Sequence, residues 1–204
     1  MFVAIVTFCF LSYIKRMSDT ISHHLSLDDM FCLVGENPRN ILHIYNPPVA
    51  IQMFVVKQDV YNIAYINDPA ECVQLYAVSK AAHVLKDIKN PTHSVKLAAV
   101  SKIGRTLKYI HDPSDDIIMA AVKRTGCALQ YVDKQTDDIK WAALGEDPWA
   151  IQFVKSPAEE MCLFAVNEEP YLIRHIKNPS KMVCDIAVLR DPRMIYYVHT
   201  KAWE

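Results

Sequence analysis

Glycine is scarce in this chain, with 4 among 204 residues, and no segment alternates β-branched residues with polar ones. The first shortage leaves no glycine-rich loop for a phosphate, and the second argues against β-strands. The HExxH, GxSxG and CxxC motifs are missing, and no Cys and His residues share the spacing of a zinc site. The sequence therefore predicts a protein that is not an enzyme, with no catalytic residue, no metal site and no cofactor.

Excess charge of one sign is missing as well, because 22 Lys and Arg residues are balanced by 23 Asp and Glu residues. A net charge of −1 removes the simplest electrostatic reason to expect a nucleic acid or an acidic membrane as the partner. The Asn-x-Ser/Thr triplets at Asn90 and Asn178 carry Pro at x and cannot be glycosylated. Together with six cysteines that form no CxxC pair, this predicts a reduced, cytoplasmic protein.

What the sequence does have is a 22-residue repeat. An Asn, Asp or Ser followed by Pro recurs at this interval, with an exception at Lys134-Gln135: Asn46-Pro47, Asp68-Pro69, Asn90-Pro91, Asp112-Pro113, Ser156-Pro157 and Asn178-Pro179. We count positions in each repeat from this proline, p. Alanine recurs at p+8 beside Val or Leu at p+9, and aliphatic residues recur at p+4, p+16 and p+19. These spacings of three to five residues predict two helical faces in each repeat.

The cap residues predict where the two helices begin. Asn, Asp or Ser at p−1 is a typical N-cap and Pro is favoured at the first helical position, so we expect helix A from p to about p+10. Glu71, Asp115 and Glu159 at p+2 add the acids of a capping box. Asx-Pro or Glu-Pro also occurs at p+12 and p+13, which predicts helix B from p+13 to about p+19. Thr136 comes late as a replacement cap, so we expect a kink or a frayed helix start there.

The period predicts an all-α fold, an elongated α-solenoid or superhelix of about eight 22-residue helix-turn-helix repeats. Such short helices are marginal alone and need their neighbours for stability. The alanine at p+8 allows adjacent helices to approach closely. We expect residues 25–204 to form one repeat domain, with residues 1–24 separate from it.

Residues 1–14 are almost entirely apolar and precede Lys15-Arg16. A helix of this length reaches about 21 Å, which is too short for a bilayer core of about 30 Å. Three interpretations remain open: a hydrophobic helix that caps the first repeat, an extension upstream of a start at Met17, or a membrane contact through residues 1–16. In the last case Lys15-Arg16 would keep the repeats on the cytoplasmic side.

Two sets of charged columns, one acidic and one basic, have a simple explanation in helix electrostatics. Acids at p+2 and p+3 and bases at p+11 and p+20 lie where the helix dipole favours them. The acids are Asp115, Asp116, Asp137, Asp138, Glu159 and Glu160, and the bases are Lys80, Lys102, Arg124, Lys89, Lys155 and Lys177. We therefore prefer a structural role for both sets of charges over a ligand-binding role.

The p+18 column of helix B is the strongest candidate for a binding surface, because it is mostly aromatic and has cations beside it at p+17. Its candidate partner-binding residues are Tyr65, Lys86, Lys108, Tyr109, Tyr131, Phe153, Arg174 and Tyr197. Such a ladder could anchor a protein partner or stack the bases of a single-stranded nucleic acid. The simpler alternative is that each ring packs between repeats with its hydroxyl in water.

The repeat unit resembles uncharacterised helical-repeat proteins of large tailed phages and giant viruses, which have HEAT-like short αα-repeats. The resemblance covers about residues 25–200 and is carried by Asn90-Pro91-Thr92 with Ala99-Val100, Asp112-Pro113-Ser114 with Ala121-Val122, and Asn178-Pro179-Ser180 with Ala187-Val188. It implies a viral origin and a host protein as the partner.

These observations predict a non-enzymatic scaffold for protein–protein interaction, without a small-molecule substrate. The alternative is a single-stranded nucleic-acid binder along the aromatic ladder. A more remote alternative is an enzyme like the helical-repeat DNA-repair glycosylases, which the lack of a strongly basic surface disfavours.

Overall fold

The structure, a computed structural model, describes residues 25–201 and contains no β-strand in that range. Each repeat consists of a ten-residue α-helix, which we identify as helix A, and a shorter 3₁₀ helix, helix B. The α-helices are α1 (Leu27–Glu36), α2 (Val49–Gln58), α3 (Glu71–Lys80), α4 (His93–Lys102), α5 (Asp115–Arg124), α6 (Asp137–Glu146), α7 (Glu159–Glu168), α8 (Lys181–Arg190) and the terminal α9 (Ile195–Lys201). The 3₁₀ helices are η1 (Pro38–His43), η2 (Val60–Tyr65), η3 (Ala82–Asp87), η4 (Gly104–Tyr109), η5 (Gly126–Tyr131), η6 (Pro148–Phe153), η7 (Pro170–His175) and η8 (Pro192–Met194).

The chain divides into two compact units between Val95 and Lys96. In the first unit α2 packs against α1 and α3, and in the second unit α5 packs against α6 and α7 against α8. Helices of successive repeats are therefore neighbours within each unit, and the predicted all-α repeat solenoid is confirmed. The single domain predicted for residues 25–204 stays a prediction.

The predictions for residues 1–24 lie outside the described residues. They are the N-terminal cap, the start at Met17 and the membrane contact. Within residues 25–201, none of the helices combines the length and the apolar character needed to cross a membrane.

The alanine column lies in the core, as predicted. Six alanines at p+8 are fully buried: Ala77, Ala99, Ala121, Ala143, Ala165 and Ala187. The p+4 residues from Ile51 to Val183 are at most 2% exposed, and the p+16 residues are buried up to Ile173. A methyl group at p+8 leaves room for the neighbouring helix to approach the backbone.

The last repeat departs from the pattern at Ile195, which occupies p+16 but is 38% exposed. The 3₁₀ helix η8 stops at Met194, and Ile195 adopts α-helical angles (φ −50°, ψ −37°) as α9 begins. Because an α-helix has 3.6 residues per turn rather than three, the spacing that buries p+16 elsewhere no longer applies.

Helix A begins at p+2 rather than at p, so the prediction that the Asx-Pro dipeptide forms its cap was wrong. The cap lies at p+1, where Ser26, Thr136 and Ser180 each accept a hydrogen bond from the amide at p+4. The residues at p−1 instead adopt left-handed backbone angles, with φ of 46° to 52°, at Asn46, Asp112, Ser156 and Asn178. Asn and Asp tolerate this conformation better than most residues. The dipeptide is thus the turn between helix B and the next helix A.

Helix B is a 3₁₀ helix from p+13 to p+18, one residue shorter than predicted. The amide at p+19 donates to the carbonyl at p+16, as in Ile110 to Leu107 at 3.0 Å. Three residues per turn match the spacing of the buried p+16 and p+19 columns. The predicted cap at p+12 is confirmed at Asn37, Asp147 and Asp191, which accept the amide at p+14 at 3.0 Å, but not at Glu169, which makes no side-chain cap bond. Asp59, which precedes Val60 rather than Pro, caps η2 in the same way.

The exceptional repeat at Lys134-Gln135 keeps a regular helix start, which contradicts the predicted kink. Thr136 caps α6 from the same p+1 position as Ser180 caps α8, and α6 has the usual ten residues. Gln135, in place of Pro, donates from Nε2 to the Phe153 carbonyl at 2.9 Å and accepts at Oε1 from the Lys155 amide at 2.8 Å. Its side chain therefore joins its own turn to the turn of the next repeat.

Candidate functional site

Aromatic side chains at p+14 of one repeat contact aromatic side chains at p+18 of the next repeat. The Tyr171 and Tyr197 rings meet edge to face with centroids 5.4 Å apart and hydroxyls 3.0 Å apart. Trp149 and His175 repeat this geometry at 5.8 Å. Each pair joins p+14 of one repeat to p+18 of the next. We call the surface formed by positions p+14, p+17 and p+18 in the second unit the helix B face.

Cations from the same protein cover ring faces on this surface. The Lys108 ammonium lies 4.7 Å from the Tyr109 ring centroid, and the Arg174 guanidinium lies 4.4 Å from the Tyr171 ring centroid. Arg174 also donates from Nε to His175 Nε2 at 3.0 Å. These are cation–π distances, so the cations partly occupy the ring faces that an incoming base would need.

The predicted binding residues divide between the two units. Tyr65 and Lys86 belong to the first unit, and Lys108, Tyr109, Tyr131, Phe153, Arg174 and Tyr197 to the second. Arg39 donates from Nε to the Tyr65 hydroxyl at 2.9 Å and lies over its ring at 5.2 Å, while Lys86 is exposed. In the second unit Lys108 contacts Tyr109, and Tyr171 contacts both Arg174 and Tyr197. Tyr131 and Phe153 are half-buried, which fits rings that pack partly between repeats.

Sequence reasoning missed the p+14 column, although its composition carried a signal. Seven of its eight residues are Arg, His or another aromatic: Arg39, Tyr61, His83, Arg105, Trp149, Tyr171 and Arg193, with Cys127 as the eighth. In the first unit Tyr61 and His83 are hydrogen-bonded at 2.5 Å between Oη and Nε2. The p+18 column was identified by comparing the residue types at one position across the repeats, and the same comparison at p+14 would have identified that column.

Three bases of the p+11 and p+20 columns have structural partners, in line with the structural interpretation of the sequence. Arg124 donates to the Lys102 carbonyl at 3.3 Å, which caps the end of the preceding helix A. Lys89 donates to the Asn67 side chain at 3.2 Å. Lys155 donates at 2.8 Å to the carbonyl of Asp133, whose carboxylate is 3.5 Å away.

Two of the p+2 acids link neighbouring repeats rather than forming a capping box. Glu71 accepts from the Thr92 hydroxyl at 2.7 Å, and Glu159 accepts from the Ser180 hydroxyl. Each hydroxyl also accepts an amide of its own helix, from Val95 or Val183. The carboxylates at these two places are therefore part of the contact between repeats.

In the second unit, the helix B face and the first turn of helix A carry charges of mostly opposite sign. The helix B face carries four cations and no acid: Arg105, Lys108, Arg174 and Arg193. Positions p+2 and p+3 of helix A carry six acids and one cation: Asp115, Asp116, Asp137, Asp138, Glu159 and Glu160, with Lys181. Arg193 forms an ion pair with Asp191 at 2.8 Å, which lowers the pKa of that carboxyl. A near-neutral chain thus still presents a basic, aromatic surface.

Two thiols of the second unit, Cys127 and Cys162, have raised pKa values. The Cys127 thiol is partly desolvated and donates to Asp147 Oδ2 at 3.1 Å, and these effects raise its pKa to about 11. Burial, followed by the charge of Glu159, raises the pKa of Cys162. A raised pKa disfavours the reactive thiolate.

In the part of the chain that the structure describes, no three His, Cys, Asp or Glu side chains are grouped so that they could hold a metal ion. The sequence matches no family model, and comparisons with curated proteins and with solved structures find no significant match.

Proposed function

We propose that this protein is a non-enzymatic scaffold that binds an acidic segment of a protein partner through the helix B face. The observation that carries the proposal is the combination of exposed rings and four cations on a surface whose own positions carry no acid. Trp149 and Tyr171 are each 37% exposed, and Arg174 lies over the Tyr171 ring. Trp, Tyr and Arg are the residues most enriched in binding hot spots, and complementary charge favours encounter with an acidic partner.

The helix B face supports a protein partner better than a nucleic acid. Base stacking needs accessible ring faces, but Lys108 covers part of Tyr109 and Arg174 covers part of Tyr171. Lys155, which would extend a basic groove at p+20, is held by Asp133. An acidic protein side chain can instead meet the outward side of a cation without displacing it from its ring.

The partner is best sought by affinity capture from the cell in which the protein acts, followed by a binding measurement with the purified partner. The resemblance to viral repeat proteins makes a cytoplasmic host protein the expected partner. We expect the double variant Tyr171→Ala/Arg174→Glu to weaken binding by about 30-fold or more, because a hot-spot residue contributes about 2 kcal/mol.

A matched control changes the other surface of the same unit. Trp141 on α6 is also exposed, at 40%, and its ring packs 5.8 Å from Phe164. Trp141→Ala/Glu160→Lys should leave the affinity within about twofold, since surface contacts outside hot spots contribute little. Loss of binding only in this control would contradict the proposal.

The nucleic-acid alternative has its own test. A gel shift with a 30-nucleotide oligo(dT) should show no complex at about 100 mM salt. A complex that weakens steeply with salt and disappears in Lys86→Glu/Lys108→Glu/Arg174→Glu would replace the protein partner with a single-stranded nucleic acid.

A further inference from the structure

A cavity of about 740 Å³ lies in the second unit, between the turn that follows η6 and the turn that follows η7. Its lining includes Pro157 and Ser180 on the two turns, Cys162 of α7, Phe153 and His175. Its volume falls within the range of about 300 to 1,000 Å³ that is usual for small-ligand sites. Nothing in the sequence analysis anticipated such a cavity.

The first unit shows which chemical group fills the corresponding space. Gln52 stands at p+5, the position that Cys162 occupies 110 residues later. Its Nε2 donates to the Pro47 carbonyl at 2.8 Å, and its Oε1 accepts from the Ala70 amide at 2.8 Å. The side-chain carboxamide therefore bridges two successive turns through backbone groups alone.

Two other glutamine side chains also form hydrogen bonds with backbone groups of these turns. Gln74, one repeat after Gln52, donates to the Pro69 carbonyl at 2.7 Å, and its buried Oε1 has no hydrogen-bond partner among the described residues. Gln135, at position p, reaches from its own turn to the next one, where it contacts the Phe153 carbonyl and the Lys155 amide. A flat group with one donor side and one acceptor side thus fits the space between turns.

At the cavity the same pair of backbone groups is present without the carboxamide. The repeat equivalents of the Pro47 carbonyl and the Ala70 amide are the Pro157 carbonyl and the Ser180 amide. Neither has a hydrogen-bond partner among residues 25–201. The Cys162 side chain ends at Sγ, too short to span both groups, and is only 6% exposed.

We propose that this cavity binds a primary carboxamide, the side-chain group of glutamine or asparagine, between the Pro157 carbonyl and the Ser180 amide. The carboxamide NH₂ donates to the former and its oxygen accepts from the latter, as in Gln52. A carboxylate fits poorly because it has no hydrogen to donate to the Pro157 carbonyl, which would then stay unpaired. This inference is independent of the partner proposed for the helix B face.

The test uses the whole protein labelled with ¹⁵N and three probes: N-acetyl-glutamine methylamide, free L-glutamine and N-acetyl-glutamate methylamide. We expect a saturable shift of the Ser180 amide resonance with glutamine, and binding of the glutamate probe at least about tenfold weaker, because a buried acceptor left unpaired is costly. Tighter binding of the capped glutamine identifies a polypeptide as the source of the carboxamide. Tighter binding of the free amino acid identifies a metabolite.

Two variants at one position complete the test. Cys162→Gln supplies the carboxamide from within and should weaken probe binding by at least about tenfold, whereas Cys162→Ser leaves the space open and should bind within about threefold of wild type. The inference is overturned if glutamine shifts no resonance of the cavity residues at tens of millimolar, or if the glutamate probe binds equally well. It is also overturned if folded Cys162→Gln binds as wild type does. The glutamine-to-glutamate comparison on the wild type decides the matter even where a variant fails to fold.

Discussion

Replacing Gly126 with alanine tests how closely successive repeats pack in the second unit. A β-carbon at Gly126 would lie 2.4 Å from the Ala143 carbonyl oxygen and 3.0 Å from the Asp147 β-carbon. Real β-carbons do not approach other atoms so closely, so α6 or η5 would have to move. The same carbonyl accepts the Asp147 amide at 3.0 Å, and movement would strain this helix-ending bond.

The magnitude follows from two opposing effects. Overpacking a tight contact costs about 1 to 3 kcal/mol. Alanine also restricts the unfolded chain, which stabilises by about 0.4 to 1 kcal/mol. The difference is a loss of about 0 to 2.6 kcal/mol. Because the closest atom is a backbone oxygen that cannot move freely, we expect Gly126→Ala to lower the free energy of unfolding by an amount in the upper part of this range, about 1 to 2.6 kcal/mol. The repeats with Pro148 and Pro170 at the same position accommodate a ring, so the tight approach belongs to the glycine-containing repeats.

Gly145 provides a matched control with the opposite expected sign. It lies exposed in α6, and a β-carbon there would meet nothing within 4 Å. Gly145→Ala should therefore raise the free energy of unfolding by about 0.5 to 1 kcal/mol through helix propensity. Urea denaturation followed by circular dichroism measures both variants, and thermal midpoints should shift by about 2 to 4 °C per kcal/mol. The reasoning is refuted if Gly126→Ala is as stable as Gly145→Ala.

Three further predictions concern the second unit. Ala121→Leu should destabilise the protein by about 1 to 3 kcal/mol in the same denaturation assay, because Ala121 is fully buried in the alanine column. Gln135→Ala should cost about 1 to 3 kcal/mol by removing both bonds between turns, and Gln135→Pro should not restore the loss, although it restores the consensus residue. Iodoacetamide at pH 8 should label Cys127 about tenfold more slowly than the exposed Cys72, since few thiolates form below a pKa of about 11. Asp147→Asn should speed this labelling, and equal rates at both thiols in the wild type would contradict the pKa shift.

The fold could be predicted because repetition separates the buried positions from all others. A single repeat offers few apolar residues, but the p+8 column shows alanine at six places and the structure buries all six. The start of helix A could not be predicted as reliably. Asn, Asp and Ser serve both as helix caps and in left-handed turns, so Asn178 at p−1 and Ser180 at p+1 are equally good caps by composition. Only the backbone angles distinguish their roles.

Sequence analysis identified only part of the candidate surface. The p+18 column was identified from its rings, but its partners at p+14 lie 26 residues earlier, as in Tyr171 with Tyr197. A contact across repeats depends on how the 3₁₀ helices align, and a column taken alone carries no such information. The roles of the cations were predicted more successfully. Lys89 and Lys155, for which we predicted a structural role, have structural partners. Lys108 and Arg174, which we predicted to lie beside the aromatic column, lie over aromatic rings.

Position p+5 shows why a repeat protein acquires sites where its repeats differ. The backbone imposes the same carbonyl and amide on each turn, so a glutamine there closes the space and a shorter residue opens it. Gln52 satisfies both backbone groups, Gln74 satisfies one, and Cys162 leaves the pair open within a cavity of about 740 Å³. The stability of the array is shared by many such contacts, so the loss of one carboxamide is tolerated. A binding site can therefore arise by one substitution on an unchanged backbone, and Cys162→Gln is the direct way to reverse it.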